Sequence, residues 1–273
     1  MLQVKYARKM SIHTTHLNVR PVRAFSDNYI WLIDSPRAPG SLVAVDPGDA
    51  APVIFELQRS GASLAAILLT HHHPDHIGGV PELLRHWAVP VIGPDDTRIA
   101  QRTRTVHEGE RCELPDLGLS FEILQVPGHT LSHIAFWGHG TLFCGDTLFS
   151  AGCGRVFEGT PTQMNASLTK LGNLPPDTSV FCGHEYTAAN LRFALTVDPT
   201  NGAALEYQDS VHRVRAQGRP TLPSTLGLEI RVNPFLRCDN PTVVTAAEIH
   251  AGKSLQGPAE VFGVLRAWKD QFR

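Results

Sequence analysis

The sequence predicts a layered α/β fold with a smaller helical region toward its C-terminal end. Short apolar runs typical of buried strands alternate with stretches of helical periodicity. Several of these runs end in Gly or Pro beside a His or Asp, so polar side chains follow the strands. Beyond residue 190 the pattern becomes mainly helical. Together these observations favour an α/β arrangement with one active edge.

The composition is that of an ordinary globular protein. The chain has 273 residues, of which 42% are hydrophobic and 18% charged, enough for a sizeable core. Its formal net charge of -2 gives no electrostatic case for a nucleic-acid or membrane partner. No apolar run approaches the roughly 20 residues that span a bilayer, and five Cys without a CxxC pair indicate a reducing compartment. We therefore expect a soluble, cytoplasmic protein.

The first structured elements are expected to be strands. Residues 1–24 are basic, without Asp or Glu, but lack the Ser-rich amphipathic pattern of a transit peptide. We expect residues 1–15 to form a flexible extension, with Met10 as an alternative start. Strands follow at 29–33 and 42–45. Asp46, which precedes Pro and Gly, is assigned to a turn, and Asp49 is expected to cap a helix that ends near residue 60.

The strand at residues 64–69 leads into a run rich in metal-ligand types. After it, the pattern predicts a helix at 81–87, a strand at 89–92, and a helix and loop within the polar stretch 98–111. Further strands are expected at 119–126, 134–137, 141–144 and 181–182. Helices are expected at 188–197, at 203–217 and from about residue 258. We place a domain boundary near residue 190.

The run that follows the strand at 64–69 is His71-His72-His73-Pro74-Asp75-His76. In an extended chain the side chains of His71 and His73 leave on the same side and can hold one ion. Pro74 and the turn after it bring Asp75 and His76 toward a second position. A His-rich run can also be a tag or a surface tract, but this run is internal, follows a core strand and contains a carboxylate, which favours a metal site.

Three further residues that can bind metal lie at the ends of predicted strands: His129, Asp146 and His184. Imidazole and carboxylate ligands without thiolate suit zinc, iron or manganese. The ligands are too many for one tetrahedral ion and fit two ions that share a carboxylate, about 3.5 to 4 Å apart, with a bridging hydroxide. The chemistry predicted is hydrolysis of an activated carbonyl or phosphoryl centre.

The motifs resemble those of the metallo-β-lactamase superfamily, and within it the glyoxalase II group, the hydroxyacylglutathione hydrolases. The HxHxDH pattern alone indicates only the superfamily, whereas the GHEYT stretch at 183–187 and the tail at 266–270 indicate the group. The resemblance extends from about residue 21 to residue 272. The segments that carry it are 24–30, 70–76, 127–130, 145–149, 151–155, 183–187, 233–237 and 266–270.

The resemblance implies a four-layer αββα sandwich, with a metal-binding catalytic domain at 16–190 and a helical substrate-binding domain at 191–273. It implies two divalent metal ions per chain. Zinc is the expected metal, and iron and manganese are the alternatives. Asp75 and Asp146 would act in catalysis as ligands, and His72 would be a bystander. The implied ligands are His71, His73 and His129 for one ion, Asp75, His76 and His184 for the other, and Asp146 as the bridge.

The resemblance also implies the reaction. The substrate would be S-D-lactoylglutathione or a related 2-hydroxyacyl thioester, which metal-bound hydroxide would cleave to glutathione and D-lactate in methylglyoxal detoxification. Recognition of the glutathione carboxylates calls for cations, and Arg266 and Lys269 would share one face of a helix. Some family members carry Tyr at the position of Phe157 and Lys at that of Arg155. The implied substrate-binding residues are Arg155, Phe157, Tyr186, Arg266 and Lys269.

Two alternatives remain open from the sequence. One is a persulfide dioxygenase on the same scaffold, which uses one iron and does not need the second ligand set. The other is a metal-binding protein without catalytic activity. Simple metal binding does not require ligands from several separate segments, so this alternative is less favoured. A nuclease is disfavoured by the net charge. We expect a monomer that acts on a small molecule, with no nucleic acid or membrane as partner.

Overall fold

Two six-stranded sheets form the centre of the computed structural model, which describes residues 17–272. The extension expected at residues 1–15 lies outside this range. In the first sheet the strands follow chain order, antiparallel from β1 to β3 and parallel from β3 to β6. Its strands are β1 (Val19–Ala24), β2 (Asn28–Asp34), β3 (Ser41–Val45), β4 (Ser63–Leu68), β5 (Val91–Gly93) and β6 (Arg104–Thr105).

The second sheet has the order β14-β13-β10-β9-β8-β7, and a small separate hairpin is formed by β11 and β12. Only β10 and β13 pair in parallel within the described part of this sheet. The strands are β7 (Arg111–Leu114), β8 (Leu119–Gln125), β9 (Ile134–Gly138), β10 (Thr141–Gly145), β11 (Leu148–Phe149), β12 (Gly152–Cys153), β13 (Ser179–Cys182) and β14 (Ser224–Thr225).

The helices flank the sheets and dominate the C-terminal region. Within the described residues they are α1 (Ala50–Ser60), α2 (Pro74–Ile77), α3 (Val80–His86), α4 (Pro161–Gly172), α5 (Thr187–Val197), α6 (Gly202–Ala216), α7 (Leu226–Val232), α8 (Pro241–Ala251) and α9 (Pro258–Gln271). Short 3-10 turns occur at Pro115–Leu117 and Pro234–Leu236. No helix among residues 17–272 is both long and apolar enough to cross a membrane.

The alternation of side chains along β2 shows how the layers are built. Ile30 and Leu32 pack with Val53 of α1 on the outer face of the first sheet, whereas Trp31 points into the core shared with the second sheet. The Trp31 indole N–H donates to the carbonyl of Cys182 at 2.9 Å and so links the two sheets. Helices α4 and α9 cover the far side, which confirms the four-layer αββα arrangement.

Most predicted elements are present near their expected positions. Asp49 caps α1, and its carboxylate accepts from the Ala51 N–H at 3.0 Å. The helix expected within 98–111 is wrong, because this stretch contains turns and the short strand β6. Its charged side chains bond locally instead: Arg98 pairs with Asp96, and the Arg102 guanidinium donates to the Asp96 carbonyl at 2.7 Å.

Helix α4 was not predicted, although its start carries a strong local signal. Thr160 and Gln163 form a capping box, in which each side chain bonds to the backbone N–H of the other residue. Pro161 occupies the first helical position, where it is favoured. This pattern was available in the sequence and would have placed the helix.

Candidate metal centre and active site

The predicted metal ligands converge at one edge of the sheets. The chain leaves β4, passes through the histidine run, and enters α2, which begins at Pro74 and turns the following residues back toward the strand end. The remaining ligands lie in the β8–β9 loop or directly after β10 and β13. The structure brings together His71, His73, Asp75, His76, His129, Asp146 and His184.

Three histidine nitrogens meet in the first cluster. Nδ1 of His73 lies 3.1 Å from Nε2 of His71 and 2.9 Å from Nε2 of His129. A proton on His73 can bridge only one of these pairs at a time. A tetrahedral zinc site separates its nitrogen ligands by about 3.3 Å, given Zn–N distances of about 2.0–2.1 Å. The cluster therefore has the donor types and spacing of a metal site.

The histidines of the first cluster favour the neutral form. Burial, together with His76 and His133 nearby, holds the pKa of His71 well below its ordinary value. Burial and the neighbouring His129 lower the pKa of His73 to about 4. Burial also lowers the pKa of His129. Because metals bind neutral imidazole, these side chains are in the form that a cation requires.

Asp75, His76 and His184 form a second cluster, and Asp146 lies between the two. Oδ2 of Asp75 is 3.5 Å from Nε2 of both His76 and His184. Oδ1 of Asp146 is 3.4 Å from Nε2 of His76. Oδ2 of Asp146 is 3.4 Å from Nε2 of His129 in the first cluster and 3.3 Å from Nε2 of His184. A carboxylate in this position can be shared by two ions.

The electrostatics of Asp146 fit a cation. Burial opposes its ionisation, but His76 and His184 hold the pKa of Asp146 well below its usual range. Nε2 of His76 and Oδ1 of Asp146 are buried without a hydrogen-bond partner. Buried polar atoms normally have partners, and a bound metal would supply one for both. The residues present therefore fit a metal.

Asp46 orients two of the histidines in addition to forming the expected turn. It has φ +52°, as expected of a turn residue. Its carboxylate accepts from the Thr70 backbone N–H at 2.8 Å, from the Thr70 hydroxyl at 2.7 Å and from Nδ1–H of His76 at 3.1 Å. Since the Thr70 hydroxyl donates to Asp46, it accepts from Nδ1–H of His71 at 3.0 Å. Nε2 of both histidines thereby faces the clusters.

His129 and His184 are oriented in the same way. Nδ1–H of His129 donates to the Arg155 carbonyl at 2.8 Å, and Nδ1–H of His184 donates to the Asp27 carboxylate at 2.8 Å. Asp27 lies in the turn between β1 and β2, so this turn forms part of the site. Such outer hydrogen bonds fix the tautomer of a ligand histidine.

The first residue of β2, directly after this turn, supports Asp75, whereas His72 lies apart from both clusters. The Asn28 side-chain amide donates to Oδ2 of Asp75 at 2.9 Å. His72 belongs to neither cluster. Its ring nitrogens lie 3.4 Å from the carboxylate of Asp96 and 3.6 Å from that of Glu158.

A cavity of about 420 Å³ opens beside the two clusters. Tyr186 stacks on His184 with parallel rings 4.8 Å apart, and its pKa is raised by burial. Phe157 is 62% exposed, and its ring is tilted by 58° against that of His129, with centroids 5.3 Å apart. The cavity is lined by all of the predicted substrate-binding residues, Arg155, Phe157, Tyr186, Arg266 and Lys269.

The three cations of this cavity differ in how they are held. Arg266 is buried; one guanidinium nitrogen donates to the Cys153 carbonyl at 2.8 Å and another to the Asp270 carboxylate at 3.0 Å. Arg155 is exposed and lies 3.4 Å from the same carboxylate. Burial and the nearby Arg266 lower the pKa of Lys269, whose ammonium lies over the Phe193 ring. Arg155 and Lys269 are therefore the more available cations for a ligand.

Comparison with protein families agrees with this geometry. The family model of the metallo-β-lactamase superfamily matches residues 25–184, and that of the hydroxyacylglutathione hydrolase C-terminus matches residues 185–272. The fold and site thus define a protein of the metallo-β-lactamase superfamily. The fold together with the His/Asp clusters makes it a metal-binding protein.

The relatives narrow the assignment. A hydroxyacylglutathione hydrolase from Nitrosomonas eutropha is 46% identical over 257 residues, which cover 94% of this chain and 100% of the relative. One from Chromohalobacter salexigens is 51% identical over 259 residues, with 94% and 100% covered. The chain belongs to the hydroxyacylglutathione hydrolase family and is an enzyme.

Solved structures support the fold. ETHE1 from Myxococcus xanthus aligns with a TM-score of 0.61 at 23% identity, over 94% of this chain and 100% of that one. TTHA1623, solved in a di-iron-bound form, aligns with a TM-score of 0.57 at 28% identity, over 80% and 100% of the two chains. The predicted sandwich is thereby confirmed.

Proposed function

We propose that the chain hydrolyses S-D-lactoylglutathione, and related 2-hydroxyacyl thioesters of glutathione, to glutathione and D-lactate or the corresponding 2-hydroxy acid. The observation that carries the proposal is the position of Asp146. It lies between two clusters of metal-ligand types and also lines a cavity that contains Arg155 and Lys269. Hydrolytic and substrate-binding groups are thus adjacent. The names of the relatives give the substrate class.

We propose two metal ions per chain, with zinc as the first expectation. The donors are imidazole and carboxylate, which suit zinc, iron and manganese. When bound, such ions would activate water at neutral pH and polarise the thioester carbonyl. The proposed ligands are His71, His73 and His129 for one ion, Asp75, His76 and His184 for the other, and Asp146 shared by both.

The chain's own residues would bind and orient the substrate. Arg155 and Lys269 would pair with the glutathione carboxylates, and the Tyr186 hydroxyl would add a hydrogen bond. Arg266, which is held by Cys153 and Asp270, would fix the shape of the cavity and add positive charge. Phe157 would cover the histidines of the first cluster and limit the access of water.

The leaving group needs no acid from the protein. Water oxygen forms a bond to the thioester carbon, the carbon–sulfur bond breaks, and the electron pair leaves with sulfur. The two protons of the water go to the solvent, so the products are the 2-hydroxy carboxylate and the thiolate, which then equilibrates with its thiol. A thiol with a pKa of about 8.5 departs readily as the thiolate. Burial opposes the ionisation of Asp75, but His76, the Asn28 amide and His184 together lower its pKa. His76 and His184 likewise lower the pKa of Asp146 against the effect of burial. Both carboxylates are therefore ionised at neutral pH and suited to bind cations rather than to donate protons.

We propose that residues 16–190 supply the catalytic groups and residues 191–273 supply much of the substrate cavity. Arg266 and Lys269 on α9 support this division. All residues of the proposed site lie in one chain, so we expect a monomer to be active.

The test is hydrolysis of S-D-lactoylglutathione by metal-analysed protein, compared with the D-lactoyl thioester of a simple thiol that lacks the peptide. We expect a strong preference for the glutathione thioester, seen mainly in KM. Equal rates on both would contradict the substrate assignment. Oxygen consumption with a persulfide substrate, one iron and no hydrolysis would establish the dioxygenase alternative, which the completeness of the second cluster and the names of the relatives do not favour.

A further inference from the structure

His133 is a buried histidine that the proposed reaction does not use. It is the last residue of the β8–β9 loop that carries His129, and its side chain is fully buried. Its ring stacks on that of His71, with centroids 4.6 Å apart and an interplanar angle of 17°. It therefore touches a proposed ligand of the first ion.

The hydrogen bonds of His133 define its tautomer. Nδ1 lies 3.0 Å from the Ile134 carbonyl, which can only accept, so Nδ1 carries the proton. Nε2 then accepts from the backbone N–H of Asp146 at 3.2 Å. One neutral ring thus holds the backbone of Asp146 and packs against His71.

Gly145 allows the end of β10 to lie close to His133 and to Thr70. This residue has φ +47°, and a Cβ placed on it would lie 2.9 Å from the His133 ring and 2.3 Å from the Thr70 hydroxyl oxygen. A larger residue would push the end of β10 away from both. The glycine lets the backbone of Asp146 come within hydrogen-bond distance of His133.

We infer that His133 is a positioning residue that fixes Asp146 and His71 for metal binding. The inference rests on the proposed assignment of those two residues as ligands. The backbone N–H of Asp146 has its partner in Nε2 of His133, so the direction in which the Asp146 carboxylate leaves the strand depends on this bond. Its loss would weaken the binding of both ions, because Asp146 faces both clusters.

Two substitutions test separately the hydrogen bonds that His133 makes to Asp146 and to Ile134. In His133→Gln the side-chain amide reaches the position of Nε2 and can accept from Asp146. In His133→Asn the shorter amide reaches only the position of Nδ1 and can bond only to Ile134. The matched controls are His139→Gln and His139→Asn, because Nε2 of His139 also accepts from a backbone N–H, that of Ser120, at 3.1 Å.

The experiment measures the zinc affinity of each metal-free protein by competition with a chromogenic chelator. We expect His133→Asn to bind zinc about tenfold to a hundredfold more weakly than His133→Gln, the range typical of lost outer hydrogen bonds at metal sites. The His139 variants should match the wild type. Equal affinities in the two His133 variants would overturn the inference, whether both stay at the wild-type value or both fall.

A replacement variant covers the case in which His133→Asn does not fold, and the wild-type protein shows whether the proposed function itself fails. If His133→Asn does not fold, as judged by near-UV circular dichroism, His133→Phe takes its place, since it keeps the stacked ring but has no acceptor. Failure of the proposed function would be distinct, because the wild-type protein would then bind no zinc or hydrolyse no thioester. A wild type that binds zinc and is active, beside a His133→Asn variant of equal affinity, would reject only the role of His133.

Discussion

At the scale of single residues, the site depends on which nitrogen each histidine presents. Asp46, Asp27 and the Arg155 carbonyl accept from Nδ1–H of His76, His184 and His129, so that Nε2 of each histidine faces the clusters. The spacing in the histidine run predicted that His71 and His73 would meet, and they do. The spacing could not identify Asp27 or His133, because their contacts form only when distant segments fold together.

Asp146→Asn tests the proposal that Asp146 is a ligand shared by two ions. The substitution keeps the size of the side chain but removes its charge, so we expect metal content to fall to about one ion per chain or less, and turnover to fall by at least about a hundredfold. Metal analysis and the rate with S-D-lactoylglutathione would be measured together. Asp116→Asn, at an exposed position, serves as the control. Full activity with two ions in Asp146→Asn would rule out the bridging role.

Lys269→Met tests substrate binding apart from metal binding. A hydrogen bond to a charged group contributes about 1.5–3 kcal/mol, so KM for glutathione thioesters should rise about tenfold to a hundredfold. Metal content should stay at the wild-type value. Lys253→Met changes an exposed lysine and should leave KM unaltered. An unchanged KM in Lys269→Met would remove this residue from the substrate site.

At the scale of elements, strands with clear apolar runs were predictable and polar connections were not. The run at 64–69 becomes β4 and is buried because both faces of the first sheet are covered. The stretch 98–111 has charged residues that could suit a helix, but few apolar residues to pack one. Backbone carbonyls in the nearby turn accept from Arg102 instead. Local charge pattern alone could not reveal that competition.

Thr160→Ala tests the start of α4. Loss of the capping-box hydroxyl should lower the free energy of unfolding by about 1 kcal/mol, measured by urea denaturation. Thr169→Ala, in the same helix at an exposed position, is the matched control, and we expect it to change stability little. A Thr160→Ala variant as stable as Thr169→Ala would show that the cap contributes nothing.

At the scale of the whole molecule, the C-terminal helices hold part of the active-site edge. Glu229 on α7 is fully buried; its carboxylate accepts from the Ala151 N–H at 2.7 Å and the Ser150 hydroxyl at 2.8 Å, in the loop of the β11–β12 hairpin. Asn233 donates to the Gly152 carbonyl at 2.9 Å in the same hairpin. This hairpin leads directly to Arg155. The change from strand-like to helix-like sequence patterns near residue 190 predicted a C-terminal helical region but not these contacts.

The pH dependence of stability tests Glu229. Burial raises its pKa above the ordinary value of 4.5, so its contribution to stability is greatest below about that pH and falls as pH rises through the higher folded-state pKa. Glu229→Gln does not titrate. The unfolding free energy of the wild type minus that of Glu229→Gln should therefore decrease between about pH 4.5 and pH 7. A difference that grows with pH over this range would contradict the raised pKa.

The most direct test of the central claim is a zinc titration of metal-free protein while hydrolysis of S-D-lactoylglutathione is followed. If the two clusters share Asp146 and act together, activity should rise until about two equivalents of zinc are bound and then level off. Full activity at one equivalent would show that the second cluster is not needed for hydrolysis. The binuclear account of this site would then be wrong.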